Sequence, residues 1–237
     1  MTGFDALLRL QDLDTTLDQL RHRHETLPER AQVTDRAAAS AALQRQLAEV
    51  QEQRDGLARD QKRIEDEVAT VEAKATEVNA TLYSGTVKAP KELQALQDDF
   101  DSLKRRQTTL EDQVIEVMEA VEPVDARLDE LTQAHAAAVV AGTAADAALV
   151  TAEADVLAEI DRVQAEREAA VADVPDGLLA EYERLRPQFG GIAVARLVGS
   201  NCQGCHLSLS AMALDQVRNL PPDALAHCDE CGRMLVH

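Results

Sequence analysis

The chain has 237 residues, a formal net charge of −19, no tryptophan and 2% aromatic residues, and its 45% apolar content is mostly alanine, leucine and valine. So few large aromatics exclude a thick two-layer core and favour long helices around a thin apolar seam. The acidic balance argues against non-specific nucleic-acid binding, which works by neutralising phosphates.

The amino terminus, MTGFDALLRLQDLD, lacks the basic and apolar stretches of an export signal, which predicts a cytoplasmic protein. Leu10, Leu13, Leu17, Leu20, His24 and Leu27 alternate by three and four residues, the period of a coiled-coil seam, until Pro28 interrupts it. A longer series follows: Leu43, Leu47, Val50, Arg54, Leu57, Gln61, Ile64, Val68, Val71, Ala75, Val78 and Leu82. Another runs from Leu93 to Leu131 and is broken only by Gln107. Arg54, Gln61, Gln107 and His135 read as polar layers that set register.

Between the two long series lies Tyr83-Ser-Gly-Thr-Val-Lys-Ala-Pro90, where Gly85 can close one helix and Pro90 open the next. The chain therefore reverses at a tip over 83–90. Its arms match, with 79 residues from Phe4 to Leu82 and 82 from Pro90 to Val171. An antiparallel hairpin over 1–174 follows. Its register sets Pro28 opposite Gly142-Thr143, which predicts a shared bend or loop near 28–30 and 142–144. Pro123 has no such counterpart and predicts a mild kink at most. Ala134–Val150 has a blurred seam and is broken by His135, Gly142 and Asp146, so no membrane span is expected.

Pro175 to Pro187 reads as a connecting helix, centred on Leu178–Arg186. The last segment, 188–237, begins with a strand over Ile192–Val198, continues with a helix over Ser210–Asn219, and ends with strands over Ala224–Ala226 and Met234–Val236. It holds the chain's four cysteines as Cys202-Gln-Gly-Cys205 and Cys228-Asp-Glu-Cys231. Two CxxC turns converge four thiolates on one point, a four-cysteine site for one structural zinc ion. Gly204 and Gly232 suit the tight backbone around the metal. Paired disulfides would need an oxidising compartment, and a haem at Cys202–His206 would leave the second pair without a role. His206 and His227 flank the ligands but are not needed to close the shell. About 50 residues bury little core, so the metal supplies the missing stability.

Two blocks resemble a bacterial family of coiled-coil proteins with a C-terminal four-cysteine zinc ribbon, described as predicted nucleic-acid-binding proteins. One is the tip and the turns after it, LYSGTVKAPKELQALQDDFDSLKRRQ; the other is CQGCHLSLSAMALDQVRN followed by CDECGRMLV. The resemblance implies a mainly α fold, a long kinked antiparallel coiled-coil hairpin carrying a small α+β zinc ribbon. It also implies regulation of transcription, flagella or secretion through partners such as sigma factors, and in some members RNA. Asp229 departs from the proline common inside the second CxxC, which does not touch the metal site.

Lys88, Lys91, Lys104, Arg105 and Arg106 form a basic concentration at and below the tip. They read either as a solvated helix face or, with Tyr83, as a docking end for an acidic protein surface or RNA. No nucleophile–base pair, phosphate loop or placed carboxylate pair suggests catalysis. The expected function is a non-enzymatic adaptor or regulator with a protein partner; the alternative is an RNA- or DNA-binding regulator. A hairpin can satisfy its own seam, so either a monomer or a homodimer is compatible with the pattern.

Overall fold

The structure, a computed structural model, describes residues 3–221 and 224–236. Helices α1 (Gly3–Glu25), α2 (Pro28–Tyr83) and α3 (Pro90–Val171) make a long helical hairpin. Helix α4 (Asp176–Leu185) and a 3-10 turn (Arg186–Phe189) lead into a small four-stranded sheet with one further helix, α5 (Ala211–Arg218). The strands are β1 (Val194–Val198), β2 (Asn201–Cys202), β3 (Ala226–His227) and β4 (Met234–Val236). The chain divides into two compact units, residues 33–145 and the two ends beyond them.

In the unit over 33–145, every position of the two long heptad series is buried or half-buried. Ile64, Val71 and Leu110 are its driest points, packed with Val68, Leu103, Val114 and Val117. Each such side chain contributes about 1.5–3 kcal/mol by leaving water. Among the polar layers, Arg54 donates across the hairpin to Asp125 at 2.6 Å. Gln61 and Gln107 instead each donate to a glutamate one turn on in their own helix, Glu65 and Glu111, both at 2.8 Å. At the tip Gly85 takes φ +71 with open space around it, and Pro90 opens α3.

Of the two loops that the proline and glycine could have made, one arm has a break and the other has none. Thr26 and Leu27 separate α1 from α2, and Thr26 N–H closes the last turn of α1 onto the His22 carbonyl at 3.0 Å. Helix α3 runs through Gly142-Thr143 and through Pro123 without a break. One glycine is too small a penalty, about 1 kcal/mol, to interrupt an 82-residue helix with alanine on both sides. An 18-residue window of α3 reaches a mean hydropathy of 1.3 and is not buried, so this one helix has the length and composition of a membrane span. Its apolarity comes from alanine and valine rather than leucine and phenylalanine.

In the unit formed by the two ends, α1 is buried on more than one face. Leu17 and Leu20 pack on Val163 of α3 in seam fashion. Ala6, Leu7, Leu8 and Leu10 enter a different core, with Val174, Tyr182, Leu185, Ala193, Val194 and Met234. The last segment is therefore not an isolated module, because its sheet shares this core with α1 and α4. The sheet order is β2-β1-β4-β3, antiparallel except for the β1–β4 pair. A second core beneath α5 joins Ala195, Leu209, Val217, Ala226 and Leu235 to Cys202 and Cys228. Ser210 caps α5, accepting from Ala213 N–H at 3.2 Å. Helix α5 ends at Arg218, ahead of Pro221; Pro222 lies outside the described residues.

Two buried polar residues of α1 make long-range connections. Gln11 is 5% exposed; its Oε1 accepts from Ala193 and Val194 N–H at 2.7 and 3.3 Å, and its Nε2 donates to Gly191 O at 2.8 Å. A side-chain amide thus takes the place of a strand partner on β1, which explains why β1 begins at Val194 and not at Ile192. Asp14, 1% exposed, accepts from Arg167 Nε at 2.6 Å and from the Tyr182 hydroxyl at 2.7 Å, with Arg186 Nε at 3.6 Å. Arg167 also reaches Glu183 at 2.6 Å, and Arg186 reaches Asp18 at 2.7 Å. Hydrogen bonding to Asp14 raises the pKa of Arg167, and burial followed by the same bond raises that of Tyr182, so both hold their protons.

Removing one member of a buried charge pair leaves the other uncompensated, at about 3–5 kcal/mol. Asp14→Ala is expected to cost about 3 kcal/mol, the low end, because Arg167 keeps Glu183. Tyr182→Phe is expected to cost about 1–2 kcal/mol. The chain has two tyrosines and no tryptophan, so in a Tyr83→Phe background the fluorescence of Tyr182 follows urea unfolding of this unit alone for Asp14→Ala, and circular dichroism follows it for Tyr182→Phe. An unchanged midpoint for Asp14→Ala would remove the network from the stability argument.

Candidate metal centre

The two CxxC turns stand at matching places in the sheet. Cys202 ends β2 and Cys228 follows β3, while Cys205 and Cys231 lie three residues on in each turn. Pairing of β1 with β2 sets Leu197 opposite Cys202, and pairing of β3 with β4 brings the second turn to the same end of the sheet. The four Sγ atoms all lie within 4.8 Å of one another. Cys202 and Cys231 are 4.0 Å apart and Cys205 and Cys228 3.9 Å apart. A tetrahedron of thiolates at about 2.3 Å from one ion has edges of about 3.8 Å, so the four residues fit a single metal. A disulfide needs about 2.05 Å and is excluded. Four protein ligands leave no open position for water or substrate.

The backbone repeats itself around both turns. His206 N–H donates to Cys202 O at 2.8 Å, and Gly232 N–H donates to Cys228 O at 2.8 Å. Both residues occupy the left-handed region, His206 at φ +61 and Gly232 at φ +75. The fifth position of each knuckle needs that conformation, which glycine adopts freely and histidine only at a cost. His206 is exposed and belongs to the turn, not to the ligand set. His227 lies 3.5 Å from Glu181 of α4.

Gly204 is required for space rather than for φ. A Cβ there would lie 2.7 Å from Arg233 Cδ and 3.0 Å from Ala195 Cβ. Arg233 crosses the centre as a strut: Nε donates to Ile192 O at 2.8 Å, Nη2 to Phe189 O at 3.3 Å, and the guanidinium lies 5.1 Å from the Phe189 ring centre. Burial pushes the Cys228 thiol up to about 12 and raises Cys202. Burial also opposes ionisation of Cys231, but the backbone and side chain of Arg233, with the neighbouring thiols, bring it down to about 7. Sequence pattern pointed to the ligands and to the glycines; it missed Arg233 and the backbone role of His206. The only trace of either was the matching position of His206 and Gly232, one residue after each pair.

The structure places the other sequence-derived candidates in the unit over 33–145, whereas the cysteines belong to the other unit. Tyr83, Lys88, Lys91, Lys104, Arg105 and Arg106 are all exposed. Lys104 donates to Gln107 at 3.0 Å and lies 5.9 Å from the Phe100 ring centre, and Arg106 is 3.9 Å from Glu67. Lys88, Lys91 and Arg105 have no ion pair among the described residues. The six do not converge on one point.

Two outcomes are expected at the knuckles. His206→Gly retains one metal ion per chain by elemental analysis and raises stability by about 1 kcal/mol, whereas His206→Val lowers it, because only glycine is free of the left-handed penalty. Gly204→Val drives a side chain into Arg233 and lowers metal content on dialysis against a chelator. Metal loss from His206→Gly would make the histidine a ligand after all.

The sequence matches the CT398-like coiled coil hairpin domain over residues 10–190 and the C4-type zinc ribbon domain over 201–235. An uncharacterized protein of Mycobacterium tuberculosis is 32% identical over 235 residues, which cover 98% of this chain and 94% of that one. A solved structure from Mycobacterium smegmatis has a TM-score of 0.87 at 23% identity, covering 99% of this chain and 97% of that chain. The structure of CT398 from Chlamydia trachomatis has a TM-score of 0.69 at 19% identity with the same coverage. A hairpin profile spanning most of the chain, followed by a zinc-ribbon profile over the four cysteines, places this protein in the family of CT398-like coiled-coil hairpin proteins with a C4-type zinc ribbon.

Proposed function

We propose that the protein is a non-enzymatic, cytoplasmic adaptor that captures a protein component of the transcription or secretion machinery at the tip of its hairpin. The observation that carries this reading is the tip surface. Tyr83 is 77% exposed, and with Leu82, Pro90 and Leu93 it lines an open hollow of about 490 Å³. Lys88 and Lys91 stand beside it, both exposed and without an ion pair among the described residues. An aromatic left this open adds little to folding, whereas a partner that covers it gains a large rigid contact at low entropic cost. The lysines suit carboxylates on that partner. The ion in the four-cysteine site is zinc and structural: a closed thiolate shell folds the knuckles and activates no water.

An RNA- or DNA-binding regulator is the second reading, favoured by Lys104 and Arg105 beside the tip. The charge of −19 works against it. The last segment adds little, with Arg196, Arg218 and Arg233 outnumbered by its carboxylates.

Affinity capture from the native cytoplasm, with and without nuclease, separates the two. The adaptor reading expects a protein that survives nuclease, tolerates 0.5 M salt, and is lost with Tyr83→Ala. Recovery of nucleic acid alone, with affinity falling steeply in salt, would replace it with the regulator.

A further inference from the structure

Helix α3 carries a second surface, of opposite charge to the tip. Ile115 and Met118, one turn apart, are 53% and 52% exposed and lie on the flank of the helix beside the Val114–Val117–Val121 seam. By helical period, Glu111, Glu119, Glu122 and Asp129 share this exposed flank with them. Residues 111–130 hold eight carboxylates and one arginine, Arg127. Glu119, Glu122 and Asp129 have no ion pair among the described residues; Glu111 accepts only from Gln107. Pro123 adds an independent feature at the same place. It lies inside α3, and having no N–H it deprives the Glu119 carbonyl of its ladder donor.

We infer that this face, from Glu111 to Asp129, docks a basic amphipathic helix of a partner protein. The apolar pair meets aliphatic side chains at i, i+3 or i+4 spacing, and lysines or arginines on either side meet the carboxylates and the open carbonyl. The footprint is about 27 Å long, or five helical turns. Nucleic acid and anionic lipid carry the same sign as the face and are repelled. A second copy fits poorly: antiparallel pairing about Ile115 and Met118 would set Glu111 against Glu122 at two places. The inference rests on the adaptor reading and deepens it, giving the hairpin a second docking surface whose occupant is basic where the occupant of the tip is acidic.

The probe is a fluorescent 20-residue helical peptide with leucines on one face and lysines and arginines on the other, titrated into the full-length, metal-loaded protein. The control is a scrambled peptide of equal charge without an apolar face. The amphipathic peptide is expected to bind at least about tenfold more tightly than the scramble. Binding should weaken about tenfold in Ile115→Asn/Met118→Gln, and both its affinity and its salt dependence should fall in Glu119→Lys/Glu122→Lys. Circular dichroism confirms that each variant keeps its helices. Lys88→Glu/Lys91→Glu leaves peptide binding unchanged, so failure at the tip and failure here are distinguishable. Equal binding of both peptides, wild-type affinity in the exposed-flank variants, or a dimer that Ile115→Asn dissociates would each overturn the inference.

Discussion

The carboxylate of Asp14 is the constraint on which one end of the molecule depends. It is almost fully buried, and a buried carboxylate is tolerated only when its lone pairs are filled. Arg167 from α3 and Tyr182 from α4 fill them by hydrogen bonds, and Arg186 from the turn after α4 adds its charge at 3.6 Å. Three segments must therefore arrive together at one residue of α1, and a one-turn slip of any of them leaves a charge unpaired in a dry site. Apolar packing alone would not be so exacting, since a leucine seam tolerates neighbouring registers.

Gln11, one turn earlier, extends the same logic to the sheet. By bonding Ala193, Val194 and Gly191 it closes an edge of β1 that would otherwise present free amides, and it fixes where the sheet begins relative to α1. The sheet in turn holds the knuckles, because Arg233, just before β4, bonds Ile192 and Phe189. The candidate metal centre is thus supported from two directions: an ion held there would fix four sulfurs, and the α1 contacts fix the strands on which those sulfurs are carried. A segment of this size would lean wholly on its metal if isolated, whereas here Met234 and Val194 are buried against α1.

How much of this was readable follows from the physics of each part. The hairpin was legible because its seam is a long one-dimensional pattern, and each apolar position from Leu43 to Leu131 adds to the same interface. The cysteines were legible because metal geometry demands their spacing. Gln11 and Asp14 were not: a polar residue beside a leucine seam looks solvated until its partners, more than 150 residues away, are known. A hint lay in Phe4, Ala6, Leu7, Leu8 and Leu10, too broad an apolar face for a two-helix seam. Strand β2, two residues long, left no periodic trace at all. A loop at Gly142 does not form because propensity is a weak local term, easily outweighed by the continuing helix on both sides.

The distribution of charge then bears on what the hairpin is for. An acidic coiled coil could spread its carboxylates evenly and pair them along each helix, as Lys62 with Asp66 and Arg162 with Glu166 do. Instead one stretch of α3, residues 111–130, sets eight carboxylates against a single arginine directly after the three cations at 104–106. Such segregation costs self-repulsion within the acidic stretch, which intrahelical pairing would have relieved. Folding gains nothing from it, since the seam is already complete at Val114, Val117 and Val121. A surface that forgoes local pairing while exposing Ile115 and Met118 is better matched to an external cationic chain than to water, and the exposed Tyr83 beside unpaired lysines is the converse case at the tip. On the adaptor reading proposed above, two sites of opposite sign on one hairpin would select their partners by charge.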